Sequence, residues 1–462
     1  MFESTAGEVA RMCGGRLETG EPSGPIRGVC VDSRRIAGGE LFVALPGERF
    51  DGHDFVWRAF AAGAAGAMIS SEIRIDQAPR GRALVRVGDT YGGLGRLAAE
   101  HRLGFGFPWV AITGSCGKST TKELASLLLG MLGPVLKAEA SFNNRVGVPL
   151  TLLDAGRQHR FAVVELGSNH KGELAPLAAM AAPDVAVVTC VAPAHLAGFG
   201  DLDGVAEEKS AILDGLRPGG LAVLNADDRY FDFFRRRARG PVVSFGLSEG
   251  AEVRATEVVL NPEGTEFLLP GGFRACLPLP GMHNVRNALA ASAVAHRLGA
   301  GMAEIAERLA EARPLHMRSR LVRLGGVLLF EDCYNANPAS FLAALEALDS
   351  LGERRKVVVA GDMGELGRNS EAHHRQLGEE IAGRGVGLLV TVGSESRLVY
   401  ETASRSSARL ESHHYQNAAA AAAAVPDMLR PGDAVLVKGS RVAGLEAVSQ
   451  AIERRFAERK ET

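Results

Sequence analysis

The middle of the chain repeats one hydrophobic pattern. Short apolar runs rich in Val, Ala and Leu stand at 109–113, 161–166, 185–191 and 221–225. Each is followed by a glycine or polar turn and then by a helical stretch, as at 121–132 and 205–215. Apolar runs of that length suit strands buried on both faces of a parallel sheet, and their alternation with helices predicts a doubly wound α/β domain. The pattern pauses at Glu311-Ala312-Arg313-Pro314 and restarts with strands at 357–360, 388–392 and 434–437, which predict a second parallel sheet. The alanine run 418–424 reads as a helix, because alanine has the highest helix propensity. Towards the N-terminus, short strands such as Gly28-Val29-Cys30-Val31-Asp32 and Glu40-Leu41-Phe42-Val43-Ala44-Leu45 mix with turns, and an Ala/Gly run at 58–67 looks helical. Gly104-Phe105-Gly106-Phe107-Pro108 breaks helix and strand alike and predicts a linker. The expectation is an α/β chain of three domains, 1–107, 108–313 and 314–462. No repeat of solenoid period is visible.

Composition narrows the class. With 462 residues, 46% hydrophobic and 23% charged, this is a folded protein too long for one core. A net charge of −2 gives no general attraction to nucleic acid or anionic membranes. The six cysteines form no CxxC pair, the usage of a reducing compartment. The first residues lack a signal-peptide pattern, and no stretch approaches the ~18–20 apolar residues of a spanning helix. A cytoplasmic protein is expected, with no nucleic-acid partner and no membrane insertion.

The most specific chemistry lies after the first central strand, in Gly114-Ser115-Cys116-Gly117-Lys118-Ser119-Thr120. Glycines let the backbone turn its N–H groups onto phosphate oxygens, and a helix N-terminus adds partial positive charge. Lys118 is placed to reach the β- and γ-phosphates and Ser119 to ligate Mg²⁺. The common P-loop has glycine five places before Gly117; here that position is Ile112, leaving the shorter Gly-x-x-Gly-Lys-Ser form. Cys116 is either a redox handle or a small residue at a variable position. Glu165 closes the run 161–166, where a carboxylate at the end of a parallel strand would face the ligand crevice.

The short loop resembles that of the Mur ligases. So do Asn143-Asn144-Arg145-Val146-Gly147-Val148-Pro149, Glu165-Leu166-Gly167-Ser168-Asn169-His170, Pro193-Ala194-His195-Leu196, Glu331-Asp332-Cys333-Tyr334-Asn335-Ala336-Asn337-Pro338, Gly361-Asp362-Met363-Gly364-Glu365-Leu366-Gly367 and Lys438-Gly439-Ser440-Arg441. The resemblance covers essentially the whole chain. It implies an N-terminal UDP-sugar-binding α/β domain, a central P-loop ATPase and a C-terminal Rossmann-like domain.

The implied reaction is ATP-dependent addition of D-alanyl-D-alanine to UDP-N-acetylmuramoyl-tripeptide through an acyl phosphate, by a monomer. Ser33 and Arg34, with the segment 47–53, would hold the nucleotide sugar. Glu165, His195 and Lys209 as a carbamate would join Ser119 around Mg²⁺, although unmodified Lys209 reads as a solvent-facing lysine beside two glutamates. Asn287 would read adenine. Arg320 and Asp332 would reach ATP from the C-terminal domain, with Arg318 able to share the role. Asn143, Asn144, Tyr334, Asn335 and Asn337, with Asp362 and 438–441, would meet the peptide substrates in an unassigned division of labour. Two other readings stand beside this one: a sister ligase that adds a single amino acid to the same nucleotide, or a folate polyglutamate ligase; and a nucleotide-binding switch without ligase chemistry.

Overall fold

The computed structural model describes residues 2–71, 79–139, 141–261, 264–352 and 354–457. Strand Trp109–Thr113, buried at every position, lies within a seven-stranded sheet that is parallel throughout. Across the sheet the order is Val253–Arg254, Val242–Gly246, Leu221–Asn225, Val185–Val188, Trp109–Thr113, Phe161–Glu165 and Val135–Lys137. Side chains alternate along the strand, so Trp109 and Ala111 enter one core while Val110 and Ile112 enter the other. That two-sided burial is why the strands read as continuous apolar runs. From Trp109–Thr113 the chain builds one side of the sheet, then crosses to the other at Val185–Val188. The loop 114–120 therefore leaves the sheet at its topological switch point, where parallel sheets open a crevice at their carboxyl ends.

The N-terminal sheet has five strands, ordered Arg16–Thr19, Ala83–Arg86, Gly66–Ile69, Leu41–Val43 and Val29–Cys30, with only the first pairing antiparallel. The Ala/Gly run at 58–67 is not one helix. Helix Val56–Ala61 ends there, Gly63 turns at φ +105°, and Gly66–Ile69 is a buried strand. Glycine takes that left-handed turn without a Cβ penalty, and the chain can then change element. Helix Thr90–Leu103 puts Leu94, Leu97 and Ala98 into the same core as Trp109 and Ala111, so this domain and the central sheet share one hydrophobic cluster.

The C-terminal sheet runs Arg320–Leu324, Val327–Glu331, Asp433–Lys438, Arg355–Gly361, Leu388–Val392 and Glu411–Tyr415. It is parallel except for its first pair, a hairpin turned by Gly325 and Gly326, so the expected all-parallel sheet carries one antiparallel edge strand. The alanine run lies in helix Ala418–Met428, whose Asn417 side chain accepts from the Ala420 N–H. A three-stranded antiparallel sheet, Thr256–Asn261, Gly264–Leu269 and Phe273–Leu277, closes one face of the central domain. No helix among the described residues is long and apolar enough to cross a membrane.

Candidate active site

The loop after Trp109–Thr113 is shaped by close backbone approach. Gly117 sits at φ +82°, and a Cβ there would lie 2.2 Å from Asn287 Oδ1; one on Gly114 would lie 2.0 Å from Thr189 Oγ1. Gly117→Ala is therefore expected to lower the unfolding free energy by about 1–3 kcal/mol, read from denaturant midpoints. Ser115 Oγ donates to the Ala192 carbonyl and accepts from the Ala192 N–H, which ties the loop to the end of the adjacent strand. Lys118 folds back so that Nζ donates to the Gly114 carbonyl at 2.8 Å. Helix Lys118–Leu129 begins there, with Ser119 buried and Thr120 on the cavity wall.

Register brings the acidic partner alongside. Glu165 pairs with Ile112 across the sheet and ends its strand level with the loop. Its carboxylate, 1% exposed, accepts from Ser119 Oγ at 2.6 Å and from Asn143 Nδ2 at 2.7 Å. Asn144 turns the other way: its Oδ1 accepts from the Val146 and Gly147 N–H groups and fixes the start of helix Gly147–Leu153. Ser119 and Glu165 are hard oxygen donors of the kind Mg²⁺ takes. Among the described residues no three His, Cys, Asp or Glu side chains converge as a preformed metal site. Ser119 and Glu165 are the residues that would hold a Mg²⁺ at the loop.

Lys209 is not at the surface. On helix Leu202–Asp214 it shares a buried face with Val205 and Ile212, and its Nζ donates to Ser168 Oγ at 2.8 Å and lies 5.1 Å over the Phe199 ring. Its two neighbouring glutamates are engaged elsewhere: Glu207 with Arg237, Glu208 with the Gly172 and Leu174 N–H groups. Burial, reinforced by the charge on Lys118, brings the Lys209 ammonium down to about 7. His195 sits at φ +54° at the start of Leu196–Phe199, with Nδ1 against the Glu365 carboxylate from the C-terminal domain. Burial lowers the His195 pKa, and Glu365 opposes that shift.

A cavity of about 750 Å³ separates these groups from the C-terminal sheet. From the central side it is lined by Ser115, Cys116, Gly117, Lys118, Asn143, Asn144, Glu165, His195 and Asn287; from the other by Asp332, Tyr334, Asn335 and Asn337. Asn287 is held by Thr121 Oγ1 and by Asn284, which accepts from its Nδ2 at 3.2 Å. Tyr334 OH meets Ser141 Oγ at 2.5 Å, and Asn337 Nδ2 donates to Cys116 Sγ at 3.2 Å, so both bridge the two domains. Lys438, buried, donates to Asp332 Oδ2 and to the Asn335 carbonyl, and thereby holds the 332–335 loop in shape.

Several sequence-derived candidates lie elsewhere. Arg320 does not line the cavity: on strand Arg320–Leu324 its guanidinium pairs with Glu331 at 3.1 Å and Glu453 at 2.6 Å. Arg318 lines the cavity instead, 3.9 Å over the Tyr334 ring. Asp362 caps a turn by accepting from the Ser394 and Ser396 N–H groups. Ser33 is buried in the N-terminal domain, and exposed Arg34 forks the Asp32 carboxylate, whose pKa falls to about 2. Beside the segment 47–53, the Pro46 carbonyl accepts from the Tyr91 OH, and the Arg145 guanidinium lies 3.8 Å over the Tyr91 ring.

The chain matches the description Mur ligase family, catalytic domain, over residues 25–101; Mur ligase middle domain over 112–295; and Mur ligase, glutamate ligase domain, over 317–441. The UDP-N-acetylmuramoyl-tripeptide–D-alanyl-D-alanine ligase of Escherichia coli (strain K12) is 36% identical, covering 98% of this chain and 99% of its own. The Bacillus subtilis (strain 168) protein of the same name is 32% identical, with 97% and 98% covered. A crystal structure of MurF from Acinetobacter baumannii superposes with a TM-score of 0.90 at 34% identity, covering 98% of this chain and 99% of that one. The MurF ligase of Thermotoga maritima in complex with ADP gives 0.83 at 26% identity, covering 94% and 98%. Matched from end to end in sequence and fold, the chain belongs to the Mur ligase family.

Proposed function

We propose that this chain uses ATP to join D-alanyl-D-alanine to UDP-N-acetylmuramoyl-tripeptide, releasing ADP and phosphate and forming the pentapeptide precursor of peptidoglycan. The observation that carries it is the end-to-end identity of 36% with a relative named for that reaction. The tripeptide carboxylate attacks the γ-phosphoryl group to give an acyl phosphate and ADP. The dipeptide amine then attacks the acyl carbon, and phosphate leaves. Lys118 and the loop N–H groups hold the phosphates, with charge stabilisation as their main contribution. Ser119 and Glu165 would hold Mg²⁺, which when bound offsets the charge between the phosphates and the attacking carboxylate. His195 adjoins that region, and Lys209, as a carbamate, would supply a further anionic oxygen donor there. Its low proton affinity supports that role, because only a neutral amine attacks CO₂.

Asn287 presents an amide to the adenine edge, and Asp332 orients the C-terminal side of the nucleotide. Arg318, rather than Arg320, is the guanidinium we assign to ATP. Arg318→Ala is expected to raise the KM for ATP about tenfold, the effect of losing about 1.4 kcal/mol of charge-assisted contact. Arg320→Ala should leave that KM unchanged; steady-state kinetics on both variants checks the assignment. Asn143, Tyr334, Asn335 and Asn337 face the acceptor carboxylate and the dipeptide, with Asn144 shaping the wall beside them, while Ser33, Arg34 and the 47–53 segment take the nucleotide sugar. We further expect it to act as a monomer in the cytoplasm, where six cysteines without a CxxC pair stay reduced. The units 1–107, 108–313 and 314–462 divide these roles.

Purified protein given ATP and the nucleotide tripeptide should release phosphate when D-alanyl-D-alanine is added. Release with free amino acids instead would assign it to a single-residue ligase. Release that needs neither peptide would favour a nucleotide switch.

A further inference from the structure

The nucleotide loop carries a thiol with a second thiol beside it. Cys116 lies between Ser115 and Gly117, half-buried on the cavity wall. Cys190 follows strand Val185–Val188 and lines the same cavity. The backbone fixes their proximity: the Ser115 N–H donates to the Cys190 carbonyl at 2.8 Å, and Thr189 Oγ1 donates to the Cys116 carbonyl at 2.5 Å. Cys190 Sγ lies 3.8 Å from that same carbonyl, which puts the second thiol against the peptide of the first. Asn337 Nδ2, from the C-terminal domain, donates to Cys116 Sγ at 3.2 Å.

We propose that Cys116 and Cys190 form a covalent modification site in which hydrogen peroxide oxidises Cys116 and Cys190 resolves it as a disulfide, closing the phosphate loop to nucleotide. The surroundings favour the thiolate on Cys116. Its acidity is raised by the donor thiol of Cys190, by Asn337 and by the charges of Lys118 and Lys438, against the opposing effect of burial. The thiolate sulfur attacks a peroxide oxygen; the S–O bond forms, the O–O bond breaks, and the departing hydroxide leaves as water after taking a proton. Cys190 then loses its proton and attacks the sulfenic sulfur; the S–S bond forms, the S–O bond breaks, and a second water leaves. Two electrons pass from the thiols to the peroxide, and an external dithiol restores both. Transient disulfides of this kind are the ones found in reducing compartments.

Closure follows from what the sulfur and its loop do in the reduced state. Cys116 accepts from Asn337, and its peptide belongs to the N–H cradle. A bond to the strand end fixes that peptide and removes the Asn337 contact. The proposal rests on the reading of 114–120 as a nucleotide loop, and the test separates the two. The full-length reduced protein is first shown to bind ADP by calorimetry; no binding there would sink the loop reading itself. It is then treated with hydrogen peroxide, alkylated and digested. The expected result is a peptide linked through Cys116 and Cys190, ADP binding lost at a concentration that saturates the reduced protein, and full recovery with dithiothreitol. ADP present during treatment should suppress the link. In Cys190→Ser, peroxide should leave Cys116 as a sulfenic acid trapped by dimedone. Both thiols remaining alkylatable, Cys116 passing to sulfinic acid without a linked peptide, or a linked protein that still binds ADP would each overturn the proposal.

Discussion

Lys209→Met is expected to lower peptide-dependent phosphate release by about 10²–10³-fold, the scale of losing one preorganised electrostatic group, while ATP affinity stays within about twofold. The same substitution should raise Tm in CO₂-free buffer near pH 6. There the folded protein holds an ammonium that is buried without an ion pair among the described residues, and a methionine of similar volume removes that cost. The sign follows from the lowered pKa. Below about 7 both folded and unfolded chains carry the proton and the burial penalty is fully present. As pH rises from there towards the ordinary lysine value, near 10.4, the unfolded chain binds more protons than the folded one and stability increases. The wild type should therefore gain on the variant with rising pH. Activity of CO₂-depleted wild type should be restored by bicarbonate above pH 7 and progressively less below it, because the neutral amine is the reactive form. A phosphate-release assay across pH with and without bicarbonate checks this; rates indifferent to bicarbonate at every pH would remove the carbamate from the mechanism.

Glu165→Gln is expected to reduce turnover by about 10²–10³-fold and to raise the Mg²⁺ concentration for half-maximal rate by about 10–100-fold. The glutamine keeps the volume of the buried side chain and can still accept from Ser119 or Asn143, so the fold should survive. What it loses is the negative charge. A Mg²⁺ titration of phosphate release reads the effect directly, with Tm as the control for folding. An unchanged Mg²⁺ requirement would remove Glu165 from the metal site and leave it as an anchor for Ser119 and Asn143.

The strands of both large sheets were legible because burial on two faces leaves uninterrupted apolar runs, as in Val185–Val188 and Leu388–Val392. The sheet at 256–277 was not, because Thr256–Asn261 is largely exposed and carries no such run. The loop 114–120 and Glu165 were legible through their position at strand ends. The solvent-facing reading of unmodified Lys209 fails on a signal already in the sequence: Val205, Lys209 and Ile212 fall at i, i+4 and i+7, one face of a helix, and that face is buried. The motif alone does not separate Arg320 from Arg318. The Arg320 side chain is decided by strand pairing, opposite Glu331 and under helix Glu446–Ala457, which no local pattern reports. Cys190 carried no sequence mark at all, since its significance arises only from register beside the loop.

The shared core of the first two domains has a mechanical meaning. Leu94 and Trp109 belong to one apolar cluster, so the N-terminal domain and the central sheet are packed as a single anvil. The third domain keeps its two clusters to itself and meets the anvil through Tyr334–Ser141, Asn337–Cys116 and Glu365–His195. Such polar latches exchange readily for water, whereas a common oily interior does not. The molecule is thus a vice with one fixed block, built by the first two domains, and one jaw, the third.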